Sequence, residues 1–216
     1  MPAKNDREYR NMMLEVRDQI EGEPEAMKVA GYASTFDEPY KLFDGTGWEY
    51  WEVVDRSAFD NTDMTDVIMQ YDHEGRVFAR TRNNTLTINP DDKGLFIEAD
   101  LGGTEIGREL YAEISGGYTD RMSFGFTVRG EMEERTENEA GVTIYTRHIT
   151  DVGKLYDVSA VSIPANDGTS IDAVTRSVSD LNDGVIERIQ AERLEEEKQM
   201  LERRRAEIRA KAIGRR

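Results

Sequence analysis

The chain has 216 residues, enough for one large or two small domains with a real core. It contains no cysteine, which excludes disulfides, thiol catalysis and thiolate metal sites and fits a reducing compartment. A net charge of −16 argues against nucleic acid and anionic membranes as partners, and no apolar run approaches the roughly 18 to 20 residues of a membrane span.

The charge is uneven. Residues 176–216 hold 11 Lys/Arg against 9 Asp/Glu, whereas residues 1–175 hold 17 against 35. An acidic body is therefore followed by a mixed-charge tail, and Ser, Asp, Asn and Gly cluster between them as they do in linkers. The expected organisation is a domain over 1–176, a linker over 177–184 and a charged helical tail over 185–216. The two histidines, His73 and His148, sit in unlike segments without ligand-type spacing, so a zinc site is not expected. The polar N-terminus shows no signal-peptide pattern.

In chain order, residues 13–20 alternate as a strand, 22–24 turn, and 27–36 return as a second strand, making a hairpin. Asp37-Glu38-Pro39 ends it, 45–47 is a loop, and 48–54 forms another short strand. Residues 55–59 resemble a capped helix start, with Phe59 as its buried anchor. The run 67–75 is short and apolar, like a buried strand, and ends in His73 before a Gly-containing turn. A histidine held there by packed backbone, yet open to a cleft, suits a general base. The plainer alternative is a surface histidine between Asp72 and Glu74.

Strands at 86–89 and 95–101 flank a turn whose Asp91 and Asp92 read as a solvated hairpin tip rather than as metal ligands. Thr104 caps a helix over 106–115, with Ile106, Leu110 and Ile114 on one stripe, and Gly116-Gly117 stops it. Residues 121–129 then form a strand with Met122, Phe124, Phe126 and Val128 on one face. Its other face carries Arg121, Ser123, Gly125, Thr127 and Arg129, so a lone hydroxyl sits beside a glycine that leaves open space. Taken alone, Ser123 could equally be a serine facing solvent on a one-sided strand. An acidic loop is expected at 131–139 and a strand at 142–149. The apolar segment 155–166 is interrupted, apart from its serines, by one charge, Asp157. A carboxylate there is costly unless partnered, and a histidine N–H, an arginine or backbone amides would each serve.

These residues carry a resemblance. A histidine ends the apolar strand at 70–74, Met-Ser-Phe-Gly-Phe follows at 122–126, and Leu-Tyr-Asp-Val-Ser-Ala-Val at 155–161 precedes Pro164-Ala165-Asn166. The chain resembles the prohead (capsid maturation) serine proteases of tailed bacteriophages. Gly31-Tyr32-Ala33-Ser34-Thr35-Phe36, Ala58-Phe59, Lys93-Gly94-Leu95 and the helix at 107–117 match too, so the resemblance covers about residues 12–170. Two positions depart from the family pattern. Asp157 stands where Glu is more usual, giving a shorter reach, and Ala79 stands where Gly is expected.

The resemblance implies an α+β, mainly β fold: a closed β-barrel of the herpesvirus-protease type, flanked by a few helices and followed by the charged C-terminal helix. It implies a serine endopeptidase inside the viral prohead, in the host cytoplasm. Such an enzyme cuts scaffold protein, or the N-terminal scaffolding segment of the major capsid protein, and commonly itself; self-association stays open, and nucleic acid and membrane are not expected partners. Ser123 would be the nucleophile, His73 the base and Asp157 the third member, with His148 a rival because the assemblins use a second histidine there. Backbone N–H groups near Ala165 and Asn166 would serve the oxyanion, and neither metal nor cofactor is needed. The tail would dock on scaffold or capsid protein. Two other classes stay open: a catalytically inactive internal scaffold with the same barrel, and an unrelated β-barrel ligand-binding module in which the three residues never meet.

Overall fold

The computed structural model describes residues 8–16, 27–162 and 176–213. Two compact units are distinguished, residues 1–178 and 179–216. The first is mainly β. Its strands are β1 (Glu8–Val16), β2 (Lys28–Thr35), β3 (Tyr40–Gly45), β4 (Trp48–Val54), β5 (Ile68–Tyr71), β6 (Glu74–Arg80), β7 (Leu86–Pro90), β8 (Gly94–Asp100), β9 (Arg121–Glu137) and β10 (Thr143–Val161), with helix α1 (Glu105–Ser115) between β8 and β9.

Period-2 alternation of apolar residues puts one face of these strands inside. Leu95, Ile97 and Ala99 of β8 are buried, as are Met122, Phe124 and Phe126 of β9. Phe124 and Phe126 stack at 4.7 Å between ring centroids. Helix α1 starts where the Thr104 hydroxyl accepts the Gly107 N–H at 3.1 Å, and it buries Leu110 and Ile114 in the same core. The pairing path is β3-β4-β10-β9-β1-β2-β8-β7. β10 is long enough to take two parallel neighbours in succession along one edge, β4 against Thr143 to Ile149 and β5 against Asp157 to Ala160.

Several expectations need correction. The closed barrel is not found: among the described residues β6 pairs only with β5 and β7 only with β8. Between them the chain makes a 3-10 turn, Thr81–Asn83, followed by left-handed Asn84. The backbone groups that would begin a β6–β7 ladder are used by that turn. Thr85 N–H donates to the Arg80 carbonyl at 3.2 Å, and Arg80 N–H donates to Thr85 Oγ1 at 2.8 Å. Residues 55–59 form successive tight turns rather than a helix, although Phe59 is buried as the anchor.

The acidic stretch at 131–139 is strand through Glu137, because β9 and β10 continue as one long hairpin. Its charges face solvent or pair, as Glu131 does with Arg147. The 177–184 linker is helical: α2 runs Arg176–Ile213. A helix propagates at the gain of one hydrogen bond per residue, so a strong Glu/Arg/Leu-rich stretch extends into weaker formers. Arg188–Glu192 and Glu195–Lys198 pairs at 3.7 Å lace the exposed surface of this helix.

Candidate active site

Three neighbouring strands build the site, β9, β10 and β5 in that order across the sheet. Ser123 lies on the β9 face opposite the Phe124 and Phe126 side chains, and Ser159 of β10 is its cross-strand partner. Asp157 is the partner of Gly125, two residues along on the same face. That placement depends on a β-bulge. Leu155 pairs with Phe126 but Asp157 pairs with Gly125, so Tyr156 is an extra residue on β10. Without it, Asp157 would oppose Phe124 and point into the apolar core with Leu155. The bulge turns the carboxylate to the Ser123 face and leaves Val158 and Ala160 in the core.

His73 arrives from a different direction. Tyr71 pairs with Glu74, so Asp72 and His73 form a two-residue hairpin loop between β5 and β6. Both have positive φ, 47° and 59°, as a type I′ turn demands. The loop is anchored to the end of β10. Asp72 N–H donates to the Ala160 carbonyl at 2.9 Å, and the Asp72 carboxylate accepts from Ser162 N–H at 2.9 Å and Ser162 Oγ–H at 2.8 Å.

The three side chains singled out in the sequence meet. His73 Nε2 lies 2.7 Å from Ser123 Oγ, and His73 Nδ1 donates to Asp157 Oδ1. Ser123 and Asp157 are buried and the His73 ring is only 10% exposed, so bulk water screens these contacts little. The shorter Asp side chain reaches the imidazole without difficulty. His148 is engaged elsewhere, with Nδ1 3.1 Å from Asp55 Oδ1 and Nε2 3.8 Å from Glu134 Oε2. Ala79 is buried in β6 opposite Met69. Asp91 accepts from the Lys93 and Gly94 N–H groups at the hairpin tip. Ala165 and Asn166 lie outside the described residues.

Two polar residues at this site have no role assigned from the sequence. Ser159, fully buried, donates its hydroxyl to Asp157 Oδ1 at 2.9 Å. Its signal in the sequence is a hydroxyl two positions after Asp157, the one charge of the apolar segment 155–166. Asp72 gave a weaker signal, since an acidic residue beside a histidine reads as ordinary surface.

A hydroxyl, an imidazole and a carboxylate in series is the arrangement that serine peptidases and esterases share. The chain belongs to the caudovirus prohead serine protease family, whose profile matches residues 13–183. Among solved structures, the bacteriophage T4 capsid assembly protease, gp21, is similar at 12% sequence identity and a TM-score of 0.39, over 74% of this chain and 98% of that one. No curated protein matches the sequence.

Proposed function

We propose that this prohead protease is an endopeptidase of capsid maturation with Ser123 as nucleophile, His73 as general base and Asp157 as the third member. Its substrates are scaffold protein or the N-terminal scaffolding segment of the major capsid protein, and the enzyme itself, cut inside the prohead in the host cytoplasm. The single observation behind this reading is the 2.7 Å contact between Ser123 Oγ and His73 Nε2, with Asp157 on the other ring nitrogen.

A free serine hydroxyl is a poor nucleophile. As Ser123 Oγ attacks the scissile carbonyl, its proton passes to His73 Nε2, and the new C–O bond gives a tetrahedral oxyanion. Asp157 holds the Nδ1–H tautomer and stabilises the imidazolium. His73 then returns the proton to the leaving amine, the C–N bond breaks, and water repeats the sequence on the acyl-enzyme. The protease domain spans residues 1–176, and the charged helix docks on scaffold or capsid protein.

Labelling with a tagged fluorophosphonate tests the nucleophile. Wild type should label at Ser123, and Ser123→Ala should abolish it. Co-expression with the capsid protein should shorten that substrate only when Ser123 is present. A wild-type chain that neither labels nor shortens the capsid protein would favour the inactive assembly protein instead.

A further inference from the structure

We infer that Ser159 is a fourth, positioning member of the site, acting on the reaction through Asp157. The inference rests on the reading of Ser123, His73 and Asp157 given above.

Ser159 is fully buried on β10, directly across the ladder from Ser123 and two residues from Asp157 on the same face. A buried hydroxyl must place its proton somewhere, and this one donates to Asp157 Oδ1 at 2.9 Å, the same oxygen that receives His73 Nδ1–H. The two donors converge from different elements, one from the strand that bears the carboxylate and one from the β5–β6 turn. A carboxylate held by one donor can still rotate about Cβ–Cγ; a second donor fixed by strand geometry sets its plane. Asp157 in turn sets the imidazole plane, and that plane aims Nε2 at Ser123. The sheet thus builds the Ser123 contact and its support from facing pairs, Ser123 with Ser159 and Gly125 with Asp157.

The test uses the full chain and a tagged fluorophosphonate. In that reaction Ser123 Oγ bonds to phosphorus, the P–F bond breaks, fluoride leaves and the Oγ proton passes to His73. The saturating labelling rate and the half-saturating probe concentration are measured separately for wild type, Ser159→Ala, Asp157→Ala and the double variant. Ser159→Ala should lower the rate about ten- to a hundred-fold, the worth of one hydrogen bond to a charged group, with half-saturation unchanged. In the Asp157→Ala background the same substitution should cost nothing further, because the group it acts through is gone. A wild-type rate in Ser159→Ala, or an equal loss in both backgrounds, would overturn the inference. Should Ser159→Ala not fold, Ser159→Cys, of similar volume and weaker donor strength, is read in the same cycle. Labelling that survives Ser123→Ala sinks the underlying reading instead, whatever residue 159 does.

Discussion

Gly125 faces Asp157 across the β9–β10 ladder and shares a face of β9 with Ser123, so a side chain at 125 would project into the space on the face where His73 joins Asp157 to Ser123. Gly125→Val should therefore suppress fluorophosphonate labelling by roughly a hundred-fold or more, the scale of an ångström of misplacement, while far-UV circular dichroism stays native. Labelling at the wild-type rate would mean the ring does not occupy that space. The Asp72–His73 turn invites a second substitution. Asp72→Ala removes the acceptor for both Ser162 donors and puts a residue ill-suited to positive φ at 47°. Labelling should fall about ten- to a hundred-fold, and Asp72→Asn, which tolerates that conformation and keeps an acceptor, should restore most of it. In the sequence His73 ends an apolar run and Asp157 interrupts one, but Ser123 lies on a polar strand face, and only the resemblance to the prohead proteases drew the three together. Which face Asp157 occupies was not legible: strict alternation from Leu155 sends it into the core, and only the bulge at Tyr156 reverses that.

At the scale of elements, the hairpins and α1 were readable wherever local chemistry decides them, as at the Thr104 cap and the 89–94 turn. What the sequence concealed depends on partners distant in the chain. Acidic residues 131–137 read as loop until β10 offers a ladder, and β3 has no apolar alternation of its own before it pairs with β4. Helix α1 carries a conflict that a substitution can expose. Alanine normally favours a helix interior over glycine by about 1 kcal/mol. At Gly107, however, an added Cβ would meet the Leu101 carbonyl oxygen at 2.2 Å, backbone that cannot swing aside. Overpacking of that kind costs about 1–3 kcal/mol, so the clash outweighs the propensity. Gly107→Ala should lower the urea midpoint with an unchanged m-value; a raised midpoint would mean that α1 slides away from Leu101 without loss.

For the whole sheet, the feature with the largest stake is an ionic cluster where β1, β4, β9 and β10 come together. Buried Glu8, Arg10, Glu52 and Arg147 bond to one another, with Tyr40 on Glu52 and Glu131 on Arg147. Burial alone would push the Glu8 carboxyl up. The Arg147 hydrogen bond and the charges of Arg10 and Arg147 outweigh burial and hold it below its ordinary 4.5. Burial likewise opposes the Arg147 charge, yet its bonds to Glu8 and the charge of Glu52 raise its affinity for the proton well above the usual arginine range. Because Glu8 binds its proton less tightly when folded, its contribution is complete above the unfolded value and is lost as pH falls from 4.5 through the lower folded value. Removing one partner from a buried pair leaves an uncompensated charge and costs about 3–5 kcal/mol, more than any single surface bridge of the molecule could. Arg147→Met should thus destabilise strongly at pH 7, followed by urea unfolding of the tryptophans Trp48 and Trp51, both in β4 beside Glu52. At about pH 3.5 the Glu8 carboxyl, no longer held below its ordinary 4.5 by Arg147, can protonate, so the penalty should shrink to a fraction of its neutral value. Glu8→Gln should instead flatten the acid limb of the wild-type stability curve. A loss in Arg147→Met that is equally large at both pH values would show that the arginine holds β1 by packing its stem rather than by its charge.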